Sequence, residues 1–457
     1  MRRRALGYRD CWTIASLPRC WLFRKPVAAL YERRLTNFPP KVLSAVIDRR
    51  SRSLARGAVG KSVCDCGTTP LQADMTETAG SGGPWTRQNP FPGKLVVNRR
   101  LSGPDSEKDT RHFEIDLVGW GLNFEPGDSI AVYPTNDPEL VEEIIRMLAA
   151  KGDELVAVAK TQKPFRQALL CDCSITKPTP KFLKAIVERA SAAPFLKELL
   201  DPKRKQDLDN LLWGMEVIDF LLEHPSAKFQ PGEFVPLLTK LQPRLYSVAS
   251  SLRVFPDRVH LIVDVVLYES RGRVRKGVCS TFLAERADHI PVPVYPSLAK
   301  HFHMPEDGNV PLIMIGPGTG IAPFRAFLQD RQARGAKGKN WLFFGAQREQ
   351  CDYAYKEDWE RFMHEGLLTR LDCAWSRDQA HKIYVQNKML ENAAEIWKWI
   401  DRDGAQFFVC GDARRMAKDV DAALRKIVQE QGGKSVEEAN AYVEKLKTEK
   451  RYKRDVY

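Results

Sequence analysis

Two short runs hold residue types that suit a flat, phosphorylated ligand. In Arg244-Leu245-Tyr246-Ser247 a guanidinium, an aromatic ring and a small hydroxyl stand almost side by side. A guanidinium pairs with pyrophosphate, a tyrosine face stacks on a planar ring, and a serine hydroxyl reaches a ring heteroatom. In Gly316-Pro317-Gly318-Thr319-Gly320 three glycines alternate directly after the apolar run Leu312-Ile313-Met314-Ile315. Such a run suits a strand buried on both faces. Glycines then let the backbone turn tightly and approach a ligand. A helix expected over 325–334 would aim its unpaired N–H groups and dipole at an anionic phosphate.

The glycine order is neither G-x-G-x-x-G nor a Walker loop, so alone it also reads as a plain strand-to-helix turn. Three further runs give it company. Gly277-Val278-Cys279-Ser280 puts a glycine and small side chains at a helix start, suited to pyrophosphate, with Ser280 equally readable as an N-cap. Ser376, Arg377 and Lys382 follow an apolar strand, where a hydroxyl and two cations would hold the 2′-phosphate that separates NADPH from NADH. Cys410 ends another apolar run, Phe407-Phe408-Val409-Cys410. Without a positioned His base it reads as a small core residue rather than a nucleophile.

The elements that would carry these residues fall into two patterns. From Lys94 onward the period is two: Phe113, Ile115 and Leu117, then Ser129 to Tyr133, then Arg244 to Ser247, then Val259 through Leu267. Between about 137 and 234 the period changes to 3.6, a helical insertion inside a β domain. After about residue 307 the apolar strands 312–315, 341–344, 371–375 and 407–410 alternate with helices, which implies a parallel sheet. The expected fold class is therefore α/β and β multidomain: residues 94–306 a β domain with its insertion, 307–457 a parallel-sheet domain.

Composition limits the function classes. The 457-residue chain carries a formal net charge of +13, but residues 1–74 hold 15 Lys and Arg against 5 Asp and Glu, so the remainder is close to neutral. A basic face on a folded module, which nucleic-acid binding requires, is not expected. No run of about 18 apolar residues exists, so no membrane partner is expected. The ten cysteines include no Cys-x-x-Cys, so neither a metal site nor a cluster is expected, and reduced thiols fit a cytoplasmic protein. Residues 1–93 are expected to be a basic, disordered or artefactual segment and leader, with Met75 the true start.

In order and spacing these motifs resemble the ferredoxin–NADP reductase superfamily, its diflavin reductase branch, and within it the flavoprotein component of assimilatory NADPH–sulfite reductase. The resemblance runs over 94–457. Its most specific pieces are 315–327, 340–345, 374–379, 410–419 and the ending Arg451 to Tyr457. It implies an antiparallel β-barrel FAD domain with a helical connecting insertion, then a Rossmann-like NADPH domain. Position by position it implies that Arg244, Leu245, Tyr246, Ser247, Gly277, Val278, Cys279 and Ser280 bind FAD. Thr176 and Tyr268 would touch its adenine half or ribityl chain, and Ile262, Val263 and Asp264 the adjoining strand. Tyr457 would cover the isoalloxazine and move aside for nicotinamide. For NADPH the implied positions are Gly316, Gly318, Thr319, Gly320, Ser376, Arg377, Lys382, Ile383, Tyr384, Val385, Gln386 and Asp419. Ser247, Cys410 and Asp455 would surround the hydride path, with Asp455 stabilising positive charge on the nicotinamide.

Full-length members of that branch also carry a flavodoxin-like FMN domain upstream. Residues 1–93 show no such βα pattern, so FMN is not expected and the electron acceptor is expected to be a separate protein. That acceptor is a sulfite reductase haemoprotein on the first reading and a flavodoxin or ferredoxin on the second. From a different class, a non-catalytic flavin-binding electron-transfer subunit would keep 244–247 but have no need of Ser376, Arg377 and Lys382.

Overall fold

The structure is a computed structural model that describes residues 85–121 and 124–457. The expectations for residues 1–74 and for Met75 lie outside the described residues.

Alternating burial builds the first sheet. In the strand Phe91–Arg100, Phe91, Gly93 and Leu95 face inward while Pro92, Lys94 and Val96 face out. Because Phe91 already belongs to the core, the strand starts there rather than at Lys94. Six antiparallel strands follow in the order Arg244–Ser247, Ser129–Val132, Val292–Ser297, Phe91–Arg100, Thr110–Asp116, Arg258–Asp264. Just beyond Ser247 the two outer strands come together where Ala249 N donates to His260 O at 2.8 Å, so the barrel closes at that end and stays open along Arg244–Ser247. Phe113, Ile115, Ile130, Val259, Leu261 and Val294 fill its interior. The alternation expected to run through Leu267 stops at Asp264. There Val265 N donates to Asp109 O and Val266 N to the Ser280 hydroxyl. The chain then starts a separate hairpin, Leu267–Ser270 with Arg273–Lys276.

The insertion is helical as its period implies, from Pro138–Met147 to Pro231–Phe234, around a core that includes Phe165, Phe182, Phe220 and Phe234. Buried Arg275 of the hairpin ties it to the barrel, donating to Glu216 at 3.1 Å and Asp219 at 2.7 Å. Burial pushes the Glu216 carboxyl up to about 6, against the opposing pull of Arg275.

The second sheet is parallel, in the order Arg370–Trp375, Asn340–Ala346, Leu312–Pro317, Gln406–Gly411, Tyr452–Val456. The fifth strand is the chain's own end, where the sequence offered only an aromatic terminus. Its register, Phe407 against Tyr452 through Gly411 against Val456, fixes Asp455 beside Cys410. Strand order reverses between Leu312–Pro317 and Gln406–Gly411. In open α/β sheets ligands bind outside the carboxyl ends of the strands at that reversal.

The helix after the glycine turn spans Ala322–Ala333, preceded by a 3-10 turn Gly318–Ile321. It begins three residues before the expected Arg325, and every residue from Ala322 to Arg331 is buried. Its apolar face packs on the sheet. Its polar face meets the barrel, with Arg325 Nη1 on Ala249 O at 2.8 Å and the Ser251 hydroxyl on Asp330 at 2.9 Å. Phe302, Ile262 and Ala249 share one apolar cluster with Met314, Phe324 and Phe408, so barrel and parallel sheet pack through a common core.

Candidate active site

The cleft with the most expected residues lies between the two outer barrel strands and the C-terminal ends of the parallel sheet. Its volume is about 340 Å³. Arg244–Ser247 lines one wall and Ile262, Val263 and Asp264 the other. Each is the last strand in its hydrogen-bonded order, so one backbone edge of each is left for a ligand. The side chains of Ile262 and Val263 point into two different cores, so these residues present backbone. Asp264 is held by Lys108 Nζ at 2.7 Å and by the Thr110 hydroxyl.

The floor is the start of the helix Val278–Glu285. Its N-cap is Gly277, with no side-chain cap, so the first N–H groups stay available to an anion. Ser280 is not the cap: it sits inside the first turn and accepts from Val266 N at 3.1 Å. A Cβ on Gly277 would stand 2.6 Å from that Ser280 hydroxyl and 2.7 Å from Val266, so only glycine fits. Cys279 is buried, its thiol pushed up to about 12 by burial.

The parallel sheet supplies the roof. Ser247 Oγ donates to Asp455 Oδ2 at 2.8 Å, and Cys410 Sγ lies 3.9 Å from the same oxygen. Burial raises the Asp455 carboxyl above its ordinary range, opposed by those two donors. Burial and the neighbouring Asp455 push the Cys410 thiol well above its own, so it remains a thiol. The Tyr457 hydroxyl pairs with Thr319 Oγ1 at 3.1 Å, and both line the cleft. The Tyr457 backbone is pinned to Gly411 O and to Ala413 N, while its side chain is exposed.

The three glycines divide their work. A Cβ on Gly320 would stand 2.2 Å from Cys410 O, and one on Gly316 2.7 Å from the Phe324 ring. These two are glycine because the turn packs on its own protein, not to admit a ligand. Gly318 has φ +57° and open space around it, which leaves it facing the crevice.

The nicotinamide-side positions gather at the same sheet end. Ser376 and Arg377 follow the strand Arg370–Trp375, with backbone N–H groups on Ala346 O and Gln347 O. Lys382 is exposed, and Tyr384 is the N-cap of the helix Val385–Glu391. Gln386 donates to Asp419 at 3.2 Å, joining two helix starts. Ile383 and Val385 pack into the core under the sheet, so their side chains do not face the crevice.

Two of the residues expected on the flavin side fall outside the main cleft. Thr176 lines a second one of about 180 Å³, together with Lys276, Arg273 and Thr281. Val278 lines both, so the two clefts flank the same helix start. Tyr268 is half exposed on the hairpin and lines neither. Sequence reading missed Val266 and Ala322 as cleft-lining residues, although Ala322 lies within the 315–327 motif, and it missed Lys108 as the partner of Asp264.

It also missed a buried cluster between barrel and parallel-sheet domain. His112 Nε2 is 3.1 Å from Glu114 and its Nδ1 2.8 Å from the Tyr355 hydroxyl. His260 Nδ1 accepts from Arg325 at 3.2 Å, which leaves the proton on Nε2. Three potential ligands converge within 4.8 Å, but that tautomer blocks the nitrogen a cation would need. Arg258 already holds Glu114 at 2.8 Å.

Residues 83–282 match the FAD binding domain family, and residues 314–422 the oxidoreductase NAD-binding domain family. The chain is 41% identical over 391 residues to the sulfite reductase [NADPH] flavoprotein alpha-component of Bacillus subtilis (strain 168), covering 85% of this chain and 64% of that protein. It is 44% identical over 375 residues to the protein of that name from Salmonella typhi, covering 82% and 62%. The chain is similar to these flavoproteins through an FAD-binding domain followed by an NAD-binding domain. It spans less than two thirds of the length of these relatives. The two domain matches support FAD and NADPH as cofactors. The residues present fit them: two free strand edges, an uncapped helix start with an obligatory glycine, two tyrosines and a guanidinium around one cleft.

Proposed function

We propose that the chain is an NADPH-dependent FAD oxidoreductase, the reductase component of a cytoplasmic assimilatory sulfite reductase. It passes electrons to a separate haemoprotein that reduces sulfite to sulfide. In this reading residues 94–306 hold FAD and 307–457 hold NADPH. The carrying observation is the 2.8 Å hydrogen bond from Ser247 to Asp455, which joins the barrel edge to the last parallel strand inside the cleft. The name these relatives carry, sulfite reductase [NADPH] flavoprotein alpha-component, supports the sulfite reductase assignment.

When both cofactors are bound, hydride passes from NADPH to FAD, and electrons then leave FAD singly. The protein supplies position and field. Arg244 and the first turn of Val278–Glu285 hold pyrophosphate, and Tyr246 and Tyr457 flank the flat ring. Val278 and Thr176, which line the second cleft at the same helix start, would hold the far half of the dinucleotide. Tyr457 yields to the nicotinamide by giving up the exposed Thr319 contact, a cost of about 1 kcal/mol, while its backbone stays pinned. Asp455 has no ion pair among the described residues. Its half-buried charge is therefore free to stabilise positive charge developing on the nicotinamide. Cys410 keeps its proton and orients Asp455. Gly318 and Thr319 face the dinucleotide, while Ser376, Arg377 and Lys382 hold its 2′-phosphate.

Arg377→Ala tests the nicotinamide assignment. It is expected to weaken NADPH by about 1.5–3 kcal/mol, the worth of a charge-assisted contact, and to spare NADH. Equal losses for both in steady-state kinetics would contradict it.

A further inference from the structure

The Arg377 guanidinium is already engaged in this structure: Nη1 forms an ion pair with the Glu107 carboxylate. Glu107 belongs to the other domain, on the barrel loop between Phe91–Arg100 and Thr110–Asp116. Two mobile surface side chains meeting by chance would carry no argument, but both backbones here are held. On the loop, Gly103 N donates to Cys351 O at 2.7 Å, the Ser106 hydroxyl pairs with Asp352, and Ser102 Oγ donates to Lys108 O at 2.8 Å. On the other side, Arg377 N donates to Gln347 O at 2.8 Å, and Arg348 donates to Arg377 O at 3.0 Å. The neighbouring Asp378 does not compete for Arg377, since it accepts from Glu349 N at 2.9 Å. Among the described residues Arg377 makes no other ion pair, and Lys382 makes none.

We propose that Glu107 is a built-in competitor for the nucleotide 2′-phosphate, holding Arg377 until that phosphate displaces it and so setting the affinity for NADPH. The inference rests on the reading of Arg377 as a 2′-phosphate ligand. A phosphomonoester carries about −1.5 to −2 charges and three acceptor oxygens near neutral pH, so it outbids a single carboxylate for the same guanidinium. A 2′-hydroxyl has no charge with which to do so. The next residue, Lys108, holds Asp264 in the flavin-side wall. The same loop therefore touches both halves of the site.

Calorimetric titration of the full chain with 2′,5′-ADP and with 5′-AMP separates the possibilities, since the two probes differ only by the 2′-phosphate. Glu107→Gln is expected to tighten 2′,5′-ADP by roughly two- to five-fold, the range of an exposed ion pair, and to leave 5′-AMP unchanged. The gain is expected to vanish in an Arg377→Ala background. A gain in affinity is not something a misfolded variant can imitate. If Glu107→Gln leaves 2′,5′-ADP unchanged or weaker while Arg377→Ala still selectively loses it, the competitor role is overturned and the 2′-phosphate reading stands. If Arg377→Ala weakens both probes alike, both fall.

Discussion

At the scale of single residues, the site depends on one carboxylate and on two glycines, one for space and one for backbone conformation. Asp455 is half-buried, accepts from Ser247, and has no cation among the described residues to neutralise it. Asp455→Asn is expected to slow flavin reduction about 10-fold or more, because a preorganised charge is lost where positive charge develops. Bound FAD is expected to remain, and stopped-flow absorbance gives both readings. The glycines offer a contrast in stability. Gly320→Ala places a Cβ 2.2 Å from a backbone oxygen, an overpacking expected to cost about 1–3 kcal/mol. Gly318→Ala meets no atom but must hold φ +57°, costing about 1 kcal/mol. Thermal unfolding of the two variants checks the order.

Among the elements, what was legible in the sequence followed the periods. Strands with a strict alternation or an unbroken apolar run were readable, as were the helical insertion and the glycine turn. The helix Ala322–Ala333 was only half readable. Phe324, Phe327 and Leu328 stand at helical spacing and pack on the sheet, but nothing in the sequence marks Arg325, Gln329 and Asp330 as buried against the barrel, where they lie. Polar side chains that satisfy one another across a domain contact leave no trace in hydropathy. The terminal strand was hidden for a similar reason, since Tyr452–Val456 is mostly charged. The candidate site was legible where its motifs are contiguous and illegible at Lys108 and Val266, which tertiary packing alone brings in.

The same hidden contact gives a pH dependence. Burial lowers His112 to about 4 and His260 to about 3, with Arg325 acting in the same direction and Glu114 opposing. In the unfolded chain both titrate near 6.5. The native state therefore binds fewer protons between those values. The stability this pair contributes is full above pH 6.5 and is lost as pH falls toward 3–4. It amounts to a few kcal/mol, roughly. Denaturant unfolding across that range is expected to show a steep decline, softened in His260→Gln.

For the whole molecule, the barrel and the parallel sheet share one apolar cluster and a set of polar contacts, so the cleft between them is a fixed feature. Lys453 Nζ on His303 O at 2.6 Å and Arg325 on Ala249 O at 2.8 Å add to that rigidity. Among the described residues no helix is long and apolar enough to cross a membrane. The strand reversal of the second sheet and the two free edges of the first open onto the same space. That convergence is the central claim: distant segments form one chamber in which flavin and nicotinamide meet. Its most direct test is an anaerobic titration of the FAD-reconstituted chain with NADPH, followed by absorbance. The account predicts a yellow protein with stoichiometric FAD that bleaches with NADPH and does so far less readily with NADH. A chain that takes up no FAD, or a yellow chain that NADPH does not bleach, would contradict it.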